Sequence, residues 1–557
     1  MPTNSSKLSM SQTKDRHLIL RTCGLCIAIL GLFTGLFWHM IFKSILHKEL
    51  VLRPNSRIYD FWKNPPIKLN VDFYLFNWTN SEDLYNPSIK PKFEELGPYR
   101  YIENPEKLDV VWHPENATVS YRKRSDFRFV PSSSKGQLND MITAINPPAV
   151  VAATRSKRMN EIRRTLIDIT LNVYANDMCI TKSAEDILFR GFHDMLLVAG
   201  TIVPTAISAQ TVPYDKFGYC YPRNYSADFY GVFNVHTGAD DITKVGQIHN
   251  WKFKSTTEFL PDKCSQIYGS PGEIQPSNLK EGDTLNLFLP DLCRPIPMEY
   301  SETVEVEGVR GFKYIAGLKA VDNGTLYPGN ECYCNGECVP SGVVNITACW
   351  FDAPIFLSYP HFYNADPYFE NLIEGMKPDK EKHEFFLVID PVTGLALDVG
   401  GRLQLNILVE PIPHLKRFKN VRKAYYPLFW LDATARISPE LATELILISS
   451  IKLYGQVAGG ICFLIGLFLF LWHPLKGHFN RRLMQHIKIN DITPEATTKS
   501  TDKNEGTPET LSFLGDTKNG GSLYPKIIST DSENKIITNL TTNSSAPKHS
   551  HLSLNSS

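Results

Sequence analysis

The sequence lacks an excess of charge of either sign, and it lacks the short motifs of the common enzyme classes. Its 557 residues carry 58 basic and 58 acidic side chains, so we expect no nucleic-acid partner, which usually selects a basic excess. No nucleophile elbow, Walker loop or glycine-rich dinucleotide loop occurs, and the His-Glu pair at His383 has no second histidine four residues on. We therefore expect no catalysis, no metal and no cofactor, and we interpret isolated histidines and carboxylates as surface groups.

Aromatic residues are scarce in the last 85 residues, 473–557, where only Phe479, Phe513 and Tyr524 occur. Such a segment cannot bury enough apolar area to offset chain entropy, and we predict a disordered tail. Within it, Tyr524-Pro525-Lys526-Ile527 fits a tyrosine-based endocytic pattern. No internal repeat of 20–50 residues is present.

Two long uncharged stretches stand near the ends of the chain. Residues 22–42 contain no Lys, Arg, Asp or Glu and would form a helix about 31 Å long, enough to cross a bilayer. A cleaved signal peptide has a shorter apolar region and a small-residue cleavage site, whereas this stretch is long and ends in bulky residues. Residues 453–472 form the second predicted span. Positive charges follow it, which predicts a cytoplasmic C-terminal side.

With two spans, residues 1–21 and 473–557 are predicted cytoplasmic tails, and residues 43–452 form an ectodomain outside the cell or in a lumen. Glycosylation sequons in this segment agree with that side. They begin at Asn77, Asn116, Asn224, Asn323 and Asn345. Close glycine spacing at Gly31/Gly35 and Gly455/Gly459 permits helix packing, either between the two spans or between subunits.

Eleven cysteines divide between the spans and the ectodomain. Cys23 and Cys26, near the predicted cytoplasmic end of the first span, are candidates for S-palmitoylation, and Cys462 is interpreted as a small apolar filler. Eight more lie in the ectodomain: Cys179, Cys220, Cys264, Cys293, Cys332, Cys334, Cys338 and Cys349. In an oxidising compartment disulfides are favoured over zinc, but the six from Cys264 to Cys349 allow 15 connectivities, among which spacing alone does not choose.

The ectodomain pattern is mostly that of strands. Apolar residues alternate in 69–75, strand composition recurs in 121–130, and 385–389 with 395–409 predicts a hairpin. Gly97-Pro98 predicts a turn leading into a short strand.

A helical insertion at about 146–200 interrupts the strands. Helices are predicted at 150–174 and 183–198, with an apolar row at Ile162, Leu166, Ile169 and Val173. The basic run that opens the insertion is interpreted as a solvated helix face, with an acidic partner or lipid head group as the alternative. Its members are Arg155, Lys157, Arg158, Arg163 and Arg164.

Several motifs resemble the class B scavenger receptor family, which includes fatty acid translocase, the high-density-lipoprotein receptor, the lysosomal integral membrane protein and insect sensory neuron membrane proteins. They are Asp72-Phe73-Tyr74-Leu75-Phe76-Asn77-Trp78-Thr79-Asn80, Glu95-Leu96-Gly97-Pro98-Tyr99, Leu357-Ser358-Tyr359-Pro360-His361-Phe362, Ile389-Asp390-Pro391-Val392-Thr393-Gly394, Arg402-Leu403-Gln404-Leu405-Asn406 and Pro427-Leu428-Phe429-Trp430-Leu431. With the two spans, the resemblance covers about residues 18–475.

The resemblance implies an α+β fold in which two transmembrane helices flank a large ectodomain with an antiparallel β-barrel core and a helical apex. It also implies the disulfides Cys264–Cys332, Cys293–Cys349 and Cys334–Cys338. The implied function is a receptor that binds lipids or lipoproteins at the apex and mediates uptake of fatty acid, sterol or carotenoid into the cell membrane. The alternative is a recognition receptor for apoptotic cells or microbes, or a lysosomal sorting receptor, without lipid transport. The expected location is the plasma membrane, with endosome or lysosome as alternatives, and a homo-oligomer is left open. The ligand-binding residues are not identified.

Overall fold

Long helices stand at both ends of the described chain. The computed structural model describes residues 4–174, 178–202, 215–334 and 338–490. One compact unit comprises Met1–Arg481, and a second comprises Arg482–Ser557, of which the described part is helical up to residue 490. Helix α1 (Asn4–Leu50) and helix α9 (Pro439–Asn490) are both long and apolar enough to cross a membrane. Neither Gly nor Pro interrupts residues 43–50 or 440–452, where the helices extend beyond the predicted spans. Helix α9 also continues through Pro474 and Gly477, so the prediction of a disordered tail from residue 473 is wrong as far as Asn490.

Helices α1 and α9 pack against each other through glycines. A Cβ on Gly459 would lie 2.5 Å from the Gly35 backbone nitrogen, and one on Gly31 would overlap the backbone of Phe463. The Trp38 indole Nε1 donates to the Ile451 carbonyl at 3.0 Å. Of the two contacts that the glycine spacing left open, the structure therefore contains the one between the two helices of a single chain.

Fifteen strands lie between these helices in the described residues. They are β1 (Leu69–Trp78), β2 (Phe93–His113), β3 (Thr118–Phe129), β4 (Met141–Ile145), β5 (Cys179–Ser183), β6 (Val232–His236), β7 (Ile248–Trp251), β8 (Leu285–Leu289), β9 (Arg294–Val306), β10 (Val309–Ile315), β11 (Val343–Asn345), β12 (Ile355–Ser358), β13 (Phe386–Ile389), β14 (Ala396–Val409) and β15 (Ala424–Arg436). The shorter helices are α2 (Arg57–Lys63), α3 (Pro147–Ser156), α4 (Glu161–Tyr174), α5 (Met195–Ile202), α6 (Leu318–Val321), α7 (Pro367–Leu372) and α8 (Lys380–His383).

Thirteen of these strands form one antiparallel sheet that is nearly closed. Its main path runs β7-β6-β3-β2-β1-β15-β14-β13-β10-β9-β8, with β11 and β12 alongside β14, while β4 and β5 form a separate pair. The segment between Gln266 and Ser270 joins the two edge strands: Ile248 N donates to Gly269 O at 2.8 Å and Phe288 N donates to Ser270 O at 2.8 Å. The predicted α+β fold with an antiparallel barrel is confirmed.

The predicted turn at Gly97-Pro98 is wrong, because β2 runs through it. Gly97 adopts a φ of +128° and precedes a cis peptide bond to Pro98. The pairing with β1 shifts register between Phe73 and Leu75, so the irregularity is accommodated as a bulge and the strand does not end.

The helical insertion is more broken than its periodicity predicted. Its first helix divides into α3 and α4, because Asn160 Oδ1 accepts from Arg163 N at 3.0 Å and starts a new helix. The predicted helix at 183–198 is also partly wrong. Strand β5 continues to Ser183, a π-helical turn spans Asp186–Arg190, and α5 begins only at Met195. Gly191, with a φ of +69°, ends the π-helical turn.

Candidate functional site: apical stripe and barrel interior

Helix α4 presents an apolar row to solvent. Ile162, Leu166, Ile169 and Val173, here called the apical stripe, are 75%, 45%, 54% and 56% exposed. The residues that α4 buries are Ile167 and Leu171. The helix therefore has two apolar faces, and the regular row that the sequence singled out is the one exposed to solvent.

The spacing of the apical stripe is that of a helix-packing seam. Its members are four, three and four residues apart, the alternation that coiled-coil helices use to pack against a partner helix. Rows of exposed large aliphatic side chains on one helix commonly mark sites of interaction. The stripe is thus a surface suited to an apolar or helical ligand.

The body of the protein holds α4 in place. The Asp168 carboxylate accepts from Lys416 N at 2.8 Å, and Ser156 Oγ at the end of α3 lies 2.8 Å from the Nε2 atom of His414. The Arg164 guanidinium donates to the last carbonyls of α3, at 2.9 Å to Lys157 O. These contacts present the stripe in a fixed orientation.

The interpretation of the basic run as a solvated face holds for Lys157, Arg158 and Arg163, which are exposed, and is wrong for Arg155 and Arg164, which are half-buried. Lys157 forms an ion pair with Glu410, and Arg158 lies 3.5 Å from Asp352. Arg155 donates to the Phe351 carbonyl, and its burial lowers the pKa of the Arg155 guanidinium below the ordinary value. Arg164 is used in capping α3, as described above. Arg155 and Lys157 therefore attach the insertion to the body of the ectodomain, while Arg158 and Arg163 remain on the surface.

The inner face of the barrel is lined with apolar side chains. Cross-strand pairs place Leu431 opposite both Phe73 and Leu403, and they place Ala433 opposite Val71. All five belong to the main hydrophobic core, yet Leu403, Leu431 and Ala433 remain half-exposed.

Farther along the same inner face lies a charged group of side chains. Lys107 on β2 and Lys123 on β3 are directly opposite each other. Like charges in such positions repel, but the Lys107 Nζ lies 2.9 Å from Glu273 and the Lys123 Nζ lies 3.7 Å from Glu103. Burial lowers the pKa of Lys107, an effect that Glu273 opposes. Burial also acts to raise the pKa of Glu273, but the two lysines hold it below its ordinary value.

Two histidines are buried on the outer face of the barrel, contrary to their interpretation as surface groups. The His361 and His383 rings stack with their centroids 4.7 Å apart. The Glu95 carboxylate lies 2.6 Å from His361 Nε2 and accepts from Trp430 Nε1 at 2.7 Å. Backbone amides occupy the Nδ1 atoms, since Lys377 N donates to His361 and Asp379 N donates to His383.

Neither the charged group nor the histidine pair was identified from the sequence. The charged group could have been found from the period-two alternation along β2, because Glu103 and Lys107 fall on the same strand face as the aromatic Tyr101. No local signal marks the second, because His361 and His383 meet only through the fold.

Three disulfides connect the second half of the ectodomain: Cys264–Cys332, Cys293–Cys349 and Cys334–Cys338. Cys220 is buried, and the Cys179 Sγ lies 3.9 Å from the Ser81 carbonyl. Cys23 and Cys26 are exposed on α1. Among the described residues, no group of three or more His, Cys, Asp or Glu side chains is arranged to hold a metal ion.

The sequon asparagines differ in exposure. Asn116 is exposed, whereas Asn77, Asn224, Asn323 and Asn345 are half-buried. The Asn323 side-chain nitrogen also donates to the Val339 carbonyl at 2.9 Å. Glycosylation at the five positions and palmitoylation at the two cysteines stay predictions, and the Tyr524–Ile527 pattern lies outside the described residues.

The disulfide-bonded antiparallel barrel continues at both ends into helices long and apolar enough to cross a membrane, the architecture that the resemblance to class B scavenger receptors implies. A family model described as the CD36 family matches residues 22–476, and the chain belongs to this family. "Protein peste" of Drosophila melanogaster is 42% identical over 455 residues, covering 81% of each chain. "Lysosome membrane protein 2" of Homo sapiens is 30% identical over 441 residues, 78% of this chain and 89% of the relative. "Scavenger receptor class B member 1" of Bos taurus is 28% identical over 454 residues, 80% of this chain and 87% of the relative.

Proposed function

We propose that this protein is a receptor that binds lipid or lipoprotein ligands at the apical stripe and mediates uptake of apolar cargo into the membrane. The observation that carries the proposal is the row of four exposed aliphatic side chains on a helix anchored by Asp168 and Arg164. Family membership supports it, and so does the name of the bovine relative. The cargo class is fatty acid, sterol or carotenoid, and no catalysis is proposed.

The barrel interior is the proposed route. A long apolar chain needs shelter from water, since each methylene contributes about 0.8 kcal/mol. The half-exposed inner positions Leu403, Leu431 and Ala433 offer apolar wall for such a chain. We further propose that α1 and α9 both cross the membrane with the two chain ends in the cytoplasm. The plasma membrane is the proposed location, with endosome or lysosome as the alternatives.

Introducing a negative charge into the apical stripe tests whether ligands bind there. Burying one leucine fully against a ligand is worth about 1.5–3 kcal/mol, or roughly tenfold to a hundredfold in Kd. We expect Leu166→Glu to weaken the binding of labelled lipoprotein to expressing cells by at least about tenfold in Kd. The matched control is Thr165→Glu, which adds the same charge on an exposed position of α4 beside the stripe. Equal binding by the two variants, at equal surface amounts, would contradict the proposed site.

A recognition receptor without transport is the second candidate, favoured by the helix-packing spacing of the stripe, which suits a protein ligand. Ala433→Trp, inside the barrel, separates the two. Transport predicts that labelled fatty acid and sterol uptake falls while binding persists, whereas pure recognition predicts that both persist. The control is Thr434→Trp, the next residue of β15, whose side chain points to the opposite face.

A further inference from the structure

Arg294 is a buried cation with an incomplete set of partners. It follows Cys293 at the start of β9, and the residue is 2% exposed. Its Nη2 donates to the Ala320 carbonyl at 3.1 Å. Its Nε and Nη1 atoms have no hydrogen-bond partner, and no ion pair joins Arg294 to a carboxylate whose side chain the structure describes.

The side chains that the structure describes around Arg294 do not neutralise its charge. The guanidinium carbon stands 3.5 Å from the ring centroid of Tyr333, a cation–π contact. Burial lowers the pKa of the Arg294 guanidinium, while Tyr333, Tyr268 and Tyr359 act in the opposite direction. The neighbouring carboxylate, Asp322, is engaged elsewhere: it accepts from Ser341 Oγ and from the backbone amides of residues 324, 326 and 327.

Two small cavities adjoin this arginine. One is also lined by the disulfide partners Cys293 and Cys349, and the other by Cys334 and the acidic Asp322, while Arg294, Tyr333 and Asn345 line both. Each has a volume of about 10 Å³, which accommodates one water molecule or one monatomic ion.

We propose that Arg294 binds a single halide ion, chloride in physiological solution, in the cavity that Cys293 and Cys349 also line, where no carboxylate is among the lining residues. A water molecule would accept a hydrogen bond from Nε or Nη1 but would leave a buried positive charge uncompensated, which is strongly unfavourable. A halide accepts the same hydrogen bonds and balances the charge. The bound ion would join β9, β11 and the Glu331–Cys334 turn, which the disulfides also connect, so it acts as a further tie within this region. The proposal is independent of the receptor function.

The test compares thermal unfolding of the full chain in lipid nanodiscs in sodium chloride or bromide with that in sodium gluconate at equal ionic strength. We expect the Tm of the wild-type protein to rise with halide and then saturate. Arg294→Met removes the charge and should remove the halide dependence. Arg310→Met is the matched control, because Arg310 is exposed on neighbouring β10 and paired with Glu281 at 2.6 Å; it should retain the dependence.

If Arg294→Met does not fold, a second measurement tests the halide site on the wild-type protein. Crystals of the wild-type protein grown in bromide should show an anomalous peak within hydrogen-bonding distance of the Arg294 guanidinium. Equal Tm values in halide and gluconate, or a halide effect without a bromide peak at Arg294, would overturn the proposal and leave water as the occupant.

Discussion

Acidification should destabilise the ectodomain through His383. The His383 side chain is buried, its Nδ1 accepts the Asp379 amide at 3.0 Å, and its ring stacks on His361. Burial first, and His361 second, lowers the pKa of His383 from 6.5 to about 4. Glu95 and Asp379 oppose this shift, while the Arg402 guanidinium adds to it.

The sign follows from proton uptake on unfolding. Between pH 6.5 and 4 the unfolded chain binds a proton at residue 383 that the folded protein does not, so the free energy of unfolding falls as the pH falls. The stabilisation is fully present above pH 6.5 and is lost toward pH 4. At about 1.4 kcal/mol per pH unit, acidification from pH 6.5 to pH 5 removes about 2 kcal/mol. With about 2.1 cal/mol/K of unfolding entropy per residue, this corresponds to about 2 °C in the Tm of the ectodomain.

The assay is the Tm at pH 6.5 and pH 5.0 for the wild-type protein and for His383→Asn. The asparagine carbonyl can accept the Asp379 amide, but it does not titrate. We expect the variant to lose about 2 °C less than the wild type on acidification, while His193→Asn, at an exposed position, loses as much as the wild type. Histidines that do not contact residue 383 contribute equally to both measurements and cancel in the difference. An identical acid shift in the wild type and His383→Asn would refute the assignment.

Two further predictions concern glycines, each with a control on another glycine. Gly459→Leu should separate α1 from α9, because its Cβ would lie 2.5 Å from the Gly35 nitrogen, whereas a Cβ at the control position Gly460 meets nothing within 4 Å. Cross-linking between cysteines introduced on the two helices should therefore fall for Gly459→Leu and persist for Gly460→Leu. Equal cross-linking in the two variants would contradict the glycine contact. Gly394→Ala should lower the Tm more than Gly282→Ala. Both glycines have a positive φ, which costs alanine about 1–3 kcal/mol of strain. Only at Gly394 would the added Cβ also overlap the Gln275 carbonyl. A Tm loss for Gly394→Ala that is no larger than that for Gly282→Ala would contradict this reasoning.

The strands of the barrel were predictable where one face packs against the core. Alternation in 69–75 identified β1, and the hairpin of β13 and β14 was found within one residue at its outer ends. The alternation is visible in the sequence because each side chain that faces the core has to be apolar or, if charged, has to be paired with an opposite charge.

Other features depend on contacts that sequence spacing does not encode. Helix α4 has two apolar faces, and only the packing of Ile167 and Leu171 decides which one is buried. The inner charges are stable because Glu273, 150 residues beyond Lys123 in sequence, reaches the same face. Gly97 and Pro98 carry the local signal of a turn, yet pairing with β1 keeps them within a strand.

The first and last strands of the ectodomain are neighbours. β1 pairs with β15 in the middle of the sheet, for instance Phe73 with Leu431, and the helices outside them, α1 and α9, also pack together. A protease that cuts one loop would therefore release nothing: each fragment would keep its own apolar helix, and the ladder between the two strands would hold the fragments together. Shedding of the whole globule requires two cleavages, one beside each helix.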